Sequence, residues 1–293
     1  MDKRDFFNWT SKNQFADPNR EEFHKFRDYL ESVSGIHLPD NKDYLIVTRL
    51  KKILQNQGLD SITSLLSEVQ RAGRRELREQ VINAMTTNET FWFRDNYPFH
   101  YFQQRLLPDL FRSRAGKIRV WCAACSSGQE PYSLAMLADE MTSVGGQFAG
   151  RQVEFIATDI STAMLERCKE GVYDKLEITR GMRPERMQKH FHQVSENLWQ
   201  VEANIRQKVN FRQLNLTDAF IGLGKFDVIF CRNVLIYFNS ELKTNILGRL
   251  HEQLVTNGTL FLGASEGLGA SGNLFEMIQC EPGIAYRALA KTP

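Results

Sequence analysis

Five short β-rich runs constrain the fold of this chain most: Ile118–Cys122, Val153–Thr158, Val209–Leu214, Phe226–Cys231 and Thr259–Gly263. Helical patterns lie between several of them. Pro131–Thr142 carries Leu134, Leu137, Ala138 and Met141 on one face, and Ser161 can cap a helix that stops at Gly171. Asn239–Thr256 carries Leu242, Ile246, Leu250 and Leu254, with Asn257-Gly258 expected to end it. Strands alternating with helices imply an α/β fold with a parallel sheet and right-handed crossovers. The tail Gly283–Leu289 reads as a final strand. The Gly-rich stretch before it holds no long helix, so this strand is expected to run antiparallel.

Upstream of residue 95 the pattern is helical. Glu21–Ser34 places Phe23, Phe26, Leu30 and Val33 near helical spacing, and Tyr44–Gln57 repeats this with Ile46, Leu50, Ile53 and Leu54. Gly58 stands where a C′ glycine ends a helix. Ser61–Arg71 and Arg74–Met85 read as two more helices. The expected organisation is a helical domain over 1–90 and an α/β domain over 91–293. The interval 172–208 is too long for one crossover helix. Its turn Ser195-Glu-Asn197 and alternating Leu198–Glu202 predict a helix plus a small β insertion.

Composition narrows the function. A net charge of +2 gives no global basic excess for nucleic acid. No run approaches the ~18 apolar residues of a membrane span. Residues Met1–Thr10 contain no apolar core of signal-peptide length. The five cysteines, Cys122, Cys125, Cys168, Cys231 and Cys280, are odd in number and mostly in apolar surroundings, which suits buried thiols in a reducing cytoplasm.

Open α/β sheets bind ligands outside the C-terminal strand ends. The first strand leads into Cys122-Ala-Ala-Cys-Ser-Ser-Gly-Gln-Glu130, and the second ends at Asp159. An acidic residue there can take both hydroxyls of a ribose. Capping the helix beside Ser161 is the competing role for Asp159. The third strand runs into Leu214-Asn-Leu216 and the fourth into Cys231-Arg-Asn233. A pyrophosphate needs several glycines so that backbone can approach it, whereas this loop has one glycine and then a carboxylate. That weighs against a dinucleotide and favours S-adenosylmethionine, whose sulfonium and ammonium are cationic. Cys122-Ala-Ala-Cys125 could serve redox or zinc chemistry. Neither sulfur falls in the first turn of the following helix, where a thiol pKa would drop, and no second Cys or His pair completes a zinc set.

Thr86-Thr-Asn-Glu-Thr-Phe-Trp-Phe-Arg94, Ser127-Gly-Gln-Glu-Pro-Tyr-Ser133, Ala157-Thr-Asp-Ile-Ser161, Arg232-Asn-Val-Leu-Ile-Tyr-Phe238 and Gly263-Ala-Ser-Glu-Gly267 follow in that order. Together they resemble the CheR family of chemotaxis-receptor methyltransferases over nearly the whole chain. The resemblance implies a Rossmann-like class I S-adenosylmethionine-dependent methyltransferase domain behind the helical domain, with a mostly parallel sheet. It further implies that glutamates in the cytoplasmic helical bundle of a chemoreceptor become methyl esters, with S-adenosylhomocysteine as product and no metal. Asn88, Thr90 and Arg94 would reach the cofactor from the interdomain segment. Glu130 and Asp159 would bind its cationic and ribose parts, and Asn215, Leu216, Arg232 and Asn233 would line the rest. The insertion at 172–208 matches a β-subdomain that some members use to dock a receptor C-terminal peptide. Those members resemble one another in a longer, Gly-rich turn where this chain has only His192–Leu198, so an enzyme independent of such a tether is expected.

The reaction so implied is an in-line displacement by a carboxylate. A free glutamate, with a pKa of about 4.3, is already ionised and needs no general base. Alignment and partial desolvation would then carry the rate. Arg94 is expected to orient a carboxylate, and Tyr237 to supply a second donor near the methyl group. Arg49, Lys51 and Lys52 form a basic set that could steer a Glu-rich helix. A methyltransferase of a small molecule or RNA, and a non-catalytic cofactor-sensing module, are the competing classes.

Overall fold

The computed structural model describes residues 18–290, so the reading of Met1–Thr10 lies outside the described residues. By their contacts the described residues divide into two compact units, 18–87 with 237–239, and 88–236 with 240–290.

The N-terminal unit contains α1 (Arg20–Ser34), α2 (Asp43–Gln57), α3 (Ile62–Gln70) and α4 (Arg75–Met85). Asn19 starts α1 through a capping box. Its side chain accepts from Glu22 N–H at 3.0 Å, while the Glu22 carboxylate accepts from Asn19 N–H at 3.1 Å. Gly58 ends α2 at φ 64°, the left-handed conformation its sequence position predicts. Phe26, Leu30, Ile46, Leu50, Leu65, Val69 and Val81 form a core shared by all four helices. Residues 237–239 join this unit. His37 N–H donates to the Tyr237 carbonyl at 2.8 Å, and the Asn239 amide to Glu31 at 2.7 Å.

The larger unit opens with α5 (Tyr97–Tyr101) and α6 (Leu107–Ser113), bridged by a π-helical turn at Phe102–Leu106. Then come β1 (Ile118–Ala123), α7 (Gln129–Thr142), β2 (Val153–Asp159) and α8 (Thr162–Glu170). The insertion supplies β3 (Val172–Asp174), α9 (Lys175–Thr179), α10 (Pro184–His190), β4 (Phe191–Ser195), β5 (Leu198–Val201) and α11 (Ala203–Arg206). The chain closes with β6 (Val209–Gln213), β7 (Phe226–Cys231), α12 (Ser240–Gln253), β8 (Leu254–Leu262), β9 (Phe275–Cys280) and β10 (Gly283–Ala288).

Seven strands form one sheet in the order β6-β2-β1-β7-β8-β10-β9. β6, β2, β1, β7 and β8 are mutually parallel, and β10 runs antiparallel to both its neighbours. The parallel sheet with its antiparallel last strand therefore matches the expectation. Every residue of β7 is buried, as a central strand covered on both faces requires. The insertion forms a separate antiparallel sheet, β3-β5-β4.

Three expectations need correction. The helix expected to run to Thr256 stops at Gln253, because Leu254 pairs with Phe226 and belongs to β8. Strand β9 has no counterpart in the sequence reading: it is an edge strand whose middle residues are mostly exposed, so it lacks an apolar run. The insertion holds two short helices before its hairpin rather than one.

Candidate functional site

The larger unit gathers its polar residues at the C-terminal ends of β1, β2 and β7. After β1 the backbone turns sharply, with Ala124 at φ 63°, Ser126 at φ 50° and Gly128 at φ 95°. Left-handed backbone is costly for Ala and Ser, so other groups must hold it. Asp159 accepts from Ser126 N–H at 2.8 Å and from Ser161 N–H at 2.9 Å. The Tyr173 hydroxyl donates to the Ser127 carbonyl at 2.6 Å, and the Cys168 thiol to the Ser126 carbonyl at 3.1 Å. A Cβ on Gly128 would meet Cys168 Sγ and Tyr173 Oη at 3.0 Å, so only glycine fits that clamp without displacement. Burial pushes the Asp159 carboxyl up from its ordinary value, and the backbone donors of Ser161 and Ser126 oppose that rise. Ser161 is the N-cap of α8, its hydroxyl accepting from Met164 N–H, and Asp159 ties that cap to the loop.

Arg232, which directly follows β7, is the second centre. Its side chain is 1% exposed and spans two carboxylates, Glu130 at 2.8 Å and Asp95 at 2.6 Å. It also donates to the Arg94 carbonyl at 3.0 Å and lies over the Phe99 ring. Glu130 sits in the first turn of α7, where the helix dipole favours an anion. Burial raises its pKa, and Arg232 and then Arg94 counter that rise. Sequence reasoning missed Asp95. It lies in a strained segment with Phe93 at φ 53°, Asp95 at φ 67° and Asn96 at φ 51°.

That segment, Asn88–Asn96, is fastened at several points. Ser126 Oγ donates to the Asn88 carbonyl at 2.9 Å, and Phe93 N–H donates to Ser133 Oγ at 3.3 Å. Arg94 is half-buried; its guanidinium donates to the Glu89 carbonyl at 3.0 Å and lies 5.5 Å from the centre of the Phe91 ring. Thr90 is half-buried on the same segment. Beyond β6, the Asn215 side chain accepts from Thr217 N–H at 3.1 Å, and Leu216 is buried with its carbonyl taking an Arg249 donor. Asn233 follows Arg232 at φ 59°. Its N–H donates to Glu266 at 2.7 Å, a carboxylate present in the quoted Gly-Ala-Ser-Glu-Gly motif but given no role there.

The remaining expected residues are Tyr237, Arg49, Lys51 and Lys52. Tyr237 belongs by its contacts to the N-terminal unit. Arg49 turns its guanidinium onto the end of α4, donating to the Met85 and Thr86 carbonyls and to Thr87 Oγ1. Those are the carbonyls a helix end leaves without partners. Lys52 is exposed on α2 and Lys51 half-buried. At 100° per residue Lys51 falls roughly 160° around the helix from Arg49, so the three do not share one face.

The donor set suits a cation. The cluster holds Asp95, Glu130, Asp159 and Glu266 against the guanidiniums of Arg94 and Arg232. The balance is negative in a region with a single loop glycine, which fits the net positive S-adenosylmethionine and not a pyrophosphate. The Cys122 and Cys125 thiols are pushed well up by burial, the opposite of a redox or metal-binding thiolate. Among the described residues no group of three or more His, Cys, Asp or Glu could hold a metal ion.

A parallel sheet closed by an antiparallel strand, with carboxylates at its first two strand ends and a glycine-poor first loop, defines an S-adenosylmethionine-dependent methyltransferase. The chain belongs to the CheR methyltransferase family. Residues 88–284 match the model "CheR methyltransferase, SAM binding domain", and residues 21–86 match "CheR methyltransferase, all-alpha domain". The chain is 50% identical over 270 residues to chemotaxis protein methyltransferase 1 of Pseudomonas aeruginosa, covering 91% of this chain and 97% of that protein. It is 47% identical to chemotaxis protein methyltransferase Cher2 of Pseudomonas putida, covering 91% and 98%. A chemotaxis protein methyltransferase of Vibrio parahaemolyticus is 45% identical, covering 91% and 96%.

Proposed function

We propose that this methyltransferase acts in the cytoplasm on chemoreceptors, converting glutamate γ-carboxylates of their cytoplasmic helical bundle to methyl esters. The observation that carries the reading is the clamped, carboxylate-bearing loop at the end of β1, facing its partners Arg232 and Asp159, in a chain of this family. Bound S-adenosylmethionine supplies an electrophilic methyl group.

The chain's own residues then have three tasks. Glu130 and Asp159 present negative charge and acceptors to the cationic and ribose parts. Asn88, Thr90, Asn215, Leu216, Arg232 and Asn233 shape the rest of the pocket. Arg94 orients a carboxylate by charge-assisted hydrogen bonds, and Tyr237 adds a donor. The attacking carboxylate is already ionised at neutral pH, so alignment and desolvation carry the rate.

The helical domain docks the receptor. Lys52, and Lys51 beside it, contribute to steering, whereas Arg49 acts chiefly by holding the end of α4. Only Glu196-Asn197 link β4 to β5, which supports methylation independent of a receptor C-terminal peptide. No helix of the described residues is long and apolar enough to cross a membrane.

The test is transfer of labelled methyl groups from S-adenosylmethionine to receptor-rich membranes. Label released as methanol by mild base is expected. Base-stable label, or no transfer, would overturn the assignment.

A further inference from the structure

Glu266 receives more backbone donors than any role at a strand end alone would require. One carboxylate oxygen accepts from Val234 N–H at 2.9 Å, Leu235 N–H at 2.7 Å and Ile236 N–H at 3.3 Å. The other accepts from Asn233 N–H and Gly263 N–H, both at 2.7 Å. Left-handed Asn233 followed by the 3₁₀ turn Leu235–Tyr237 makes successive N–H groups converge, which is an anion-binding nest built by backbone. Here the anion is a side chain of the same chain. Gly263 is bare for the same reason: a Cβ there would lie 2.7 Å from Asn233 Nδ2 and from Glu266 Oε2.

This nest begins one residue after Arg232. Fixing Asn233–Ile236 therefore fixes where the Arg232 side chain starts, and Arg232 in turn spans Glu130 of α7 and Asp95 of the 88–96 segment. We infer that Glu266 is the positioning residue of the cofactor site, acting through the turn after β7 to set Arg232 and Asn233. The inference rests on the proposal that these two residues line the S-adenosylmethionine pocket. Glutamine is nearly isosteric but must turn an NH2 group towards at least two of the N–H donors. Aspartate keeps the charge and is one methylene shorter.

The test is calorimetric titration of the full chain with S-adenosylhomocysteine, at a temperature where circular dichroism shows each variant folded. Glu266→Gln is expected to raise Kd about tenfold, the loss that accompanies removal of one hydrogen bond to a charged acceptor. Glu266→Asp is expected to fall between Gln and wild type. In methyl-transfer assays KM for S-adenosylmethionine rises in parallel, while KM for receptor membranes stays unchanged. A residue needed only for folding would lower the melting temperature and leave these constants alone. Wild-type affinity in folded Glu266→Gln overturns the inference, and if that variant does not fold, Glu266→Asp is judged by the same criterion. Absence of binding by the wild type would instead overturn the pocket reading.

Discussion

Arg232→Met isolates the charge at the centre of the site while roughly keeping side-chain volume. The guanidinium is 1% exposed, Glu130 is 13% exposed and Asp95 is 31% exposed. Asp95 can turn to water, so its lost pair contributes little. Glu130 cannot, and stranding one partner of a buried pair costs roughly 3–5 kcal/mol, with the lower end expected because only this carboxylate stays buried. For a domain of 150–250 residues about 3 kcal/mol corresponds to a fall of ~6–12 °C in melting temperature. The sign with pH follows from linkage. Burial already raises the Glu130 pKa, and Arg232 is the main force holding it down. Without Arg232 it rises further. A raised carboxyl pKa favours the folded state at low pH and loses that contribution as pH rises through the folded value. The variant's deficit should therefore be large at about pH 8 and shrink towards about pH 5. Urea unfolding followed by tryptophan fluorescence reads both values. A deficit below ~1 kcal/mol, or one that does not change with pH, would refute the view that Arg232 sustains a buried charge on Glu130.

Two further outcomes are expected. Arg94→Ala should lower turnover roughly 100-fold, the scale of losing one positioned donor, yet hardly move the melting temperature, since the side chain makes a single hydrogen bond and is half-exposed; wild-type methyl transfer by the folded variant would remove Arg94 from the mechanism. Glu140 joins α7 to α10. Burial works against its charge, but His190 and Arg186 take its pKa from 4.5 down to about 2. A depressed carboxyl stabilises the fold above its unfolded pKa and loses that effect as pH falls through the folded one. Glu140→Gln should thus cost about 1–3 kcal/mol at neutral pH, discounted for partial exposure, with the gap closing under acid conditions; a gap equal at both pH values in urea titrations would exclude the ion pair as its source.

The parallel sheet was legible because its central strands are buried on both faces and so read as unbroken apolar runs. β9 was not, since an edge strand with exposed Glu276 and Met277 carries no such run. The end of α12 misled for a related reason: Leu254 continues the helical spacing of Leu242, Ile246 and Leu250, and only its pairing with Phe226 assigns it to a strand. The positions of Glu130, just after the first strand, and of Asp159, at the end of the second, were legible from the apolar runs that precede them. Asp95, Tyr173 and Glu266 were not. Their partners lie far away in sequence, and nothing local to an exposed-looking Asp or Glu says which backbone it will hold. Arg49 was read on an open face, and its reach takes it to the end of the neighbouring helix.

Most of the strained backbone lies beside these acidic residues. Six of the seven non-glycine residues at positive φ among the described residues are Phe93, Asp95, Asn96, Ala124, Ser126 and Asn233. Such conformations cost of order 1–3 kcal/mol each and persist only where surroundings over-determine them. Here the anchors are specific: Asp159 for Ser126, Arg232 for Asp95, Glu266 for Asn233 and Ser133 for Phe93. The carboxylates thus hold loop geometry through the chain's own hydrogen bonds. A neutral isostere at Asp159 or Glu266 should on this account damage the site through its backbone, even where the lost charge is small beside the whole.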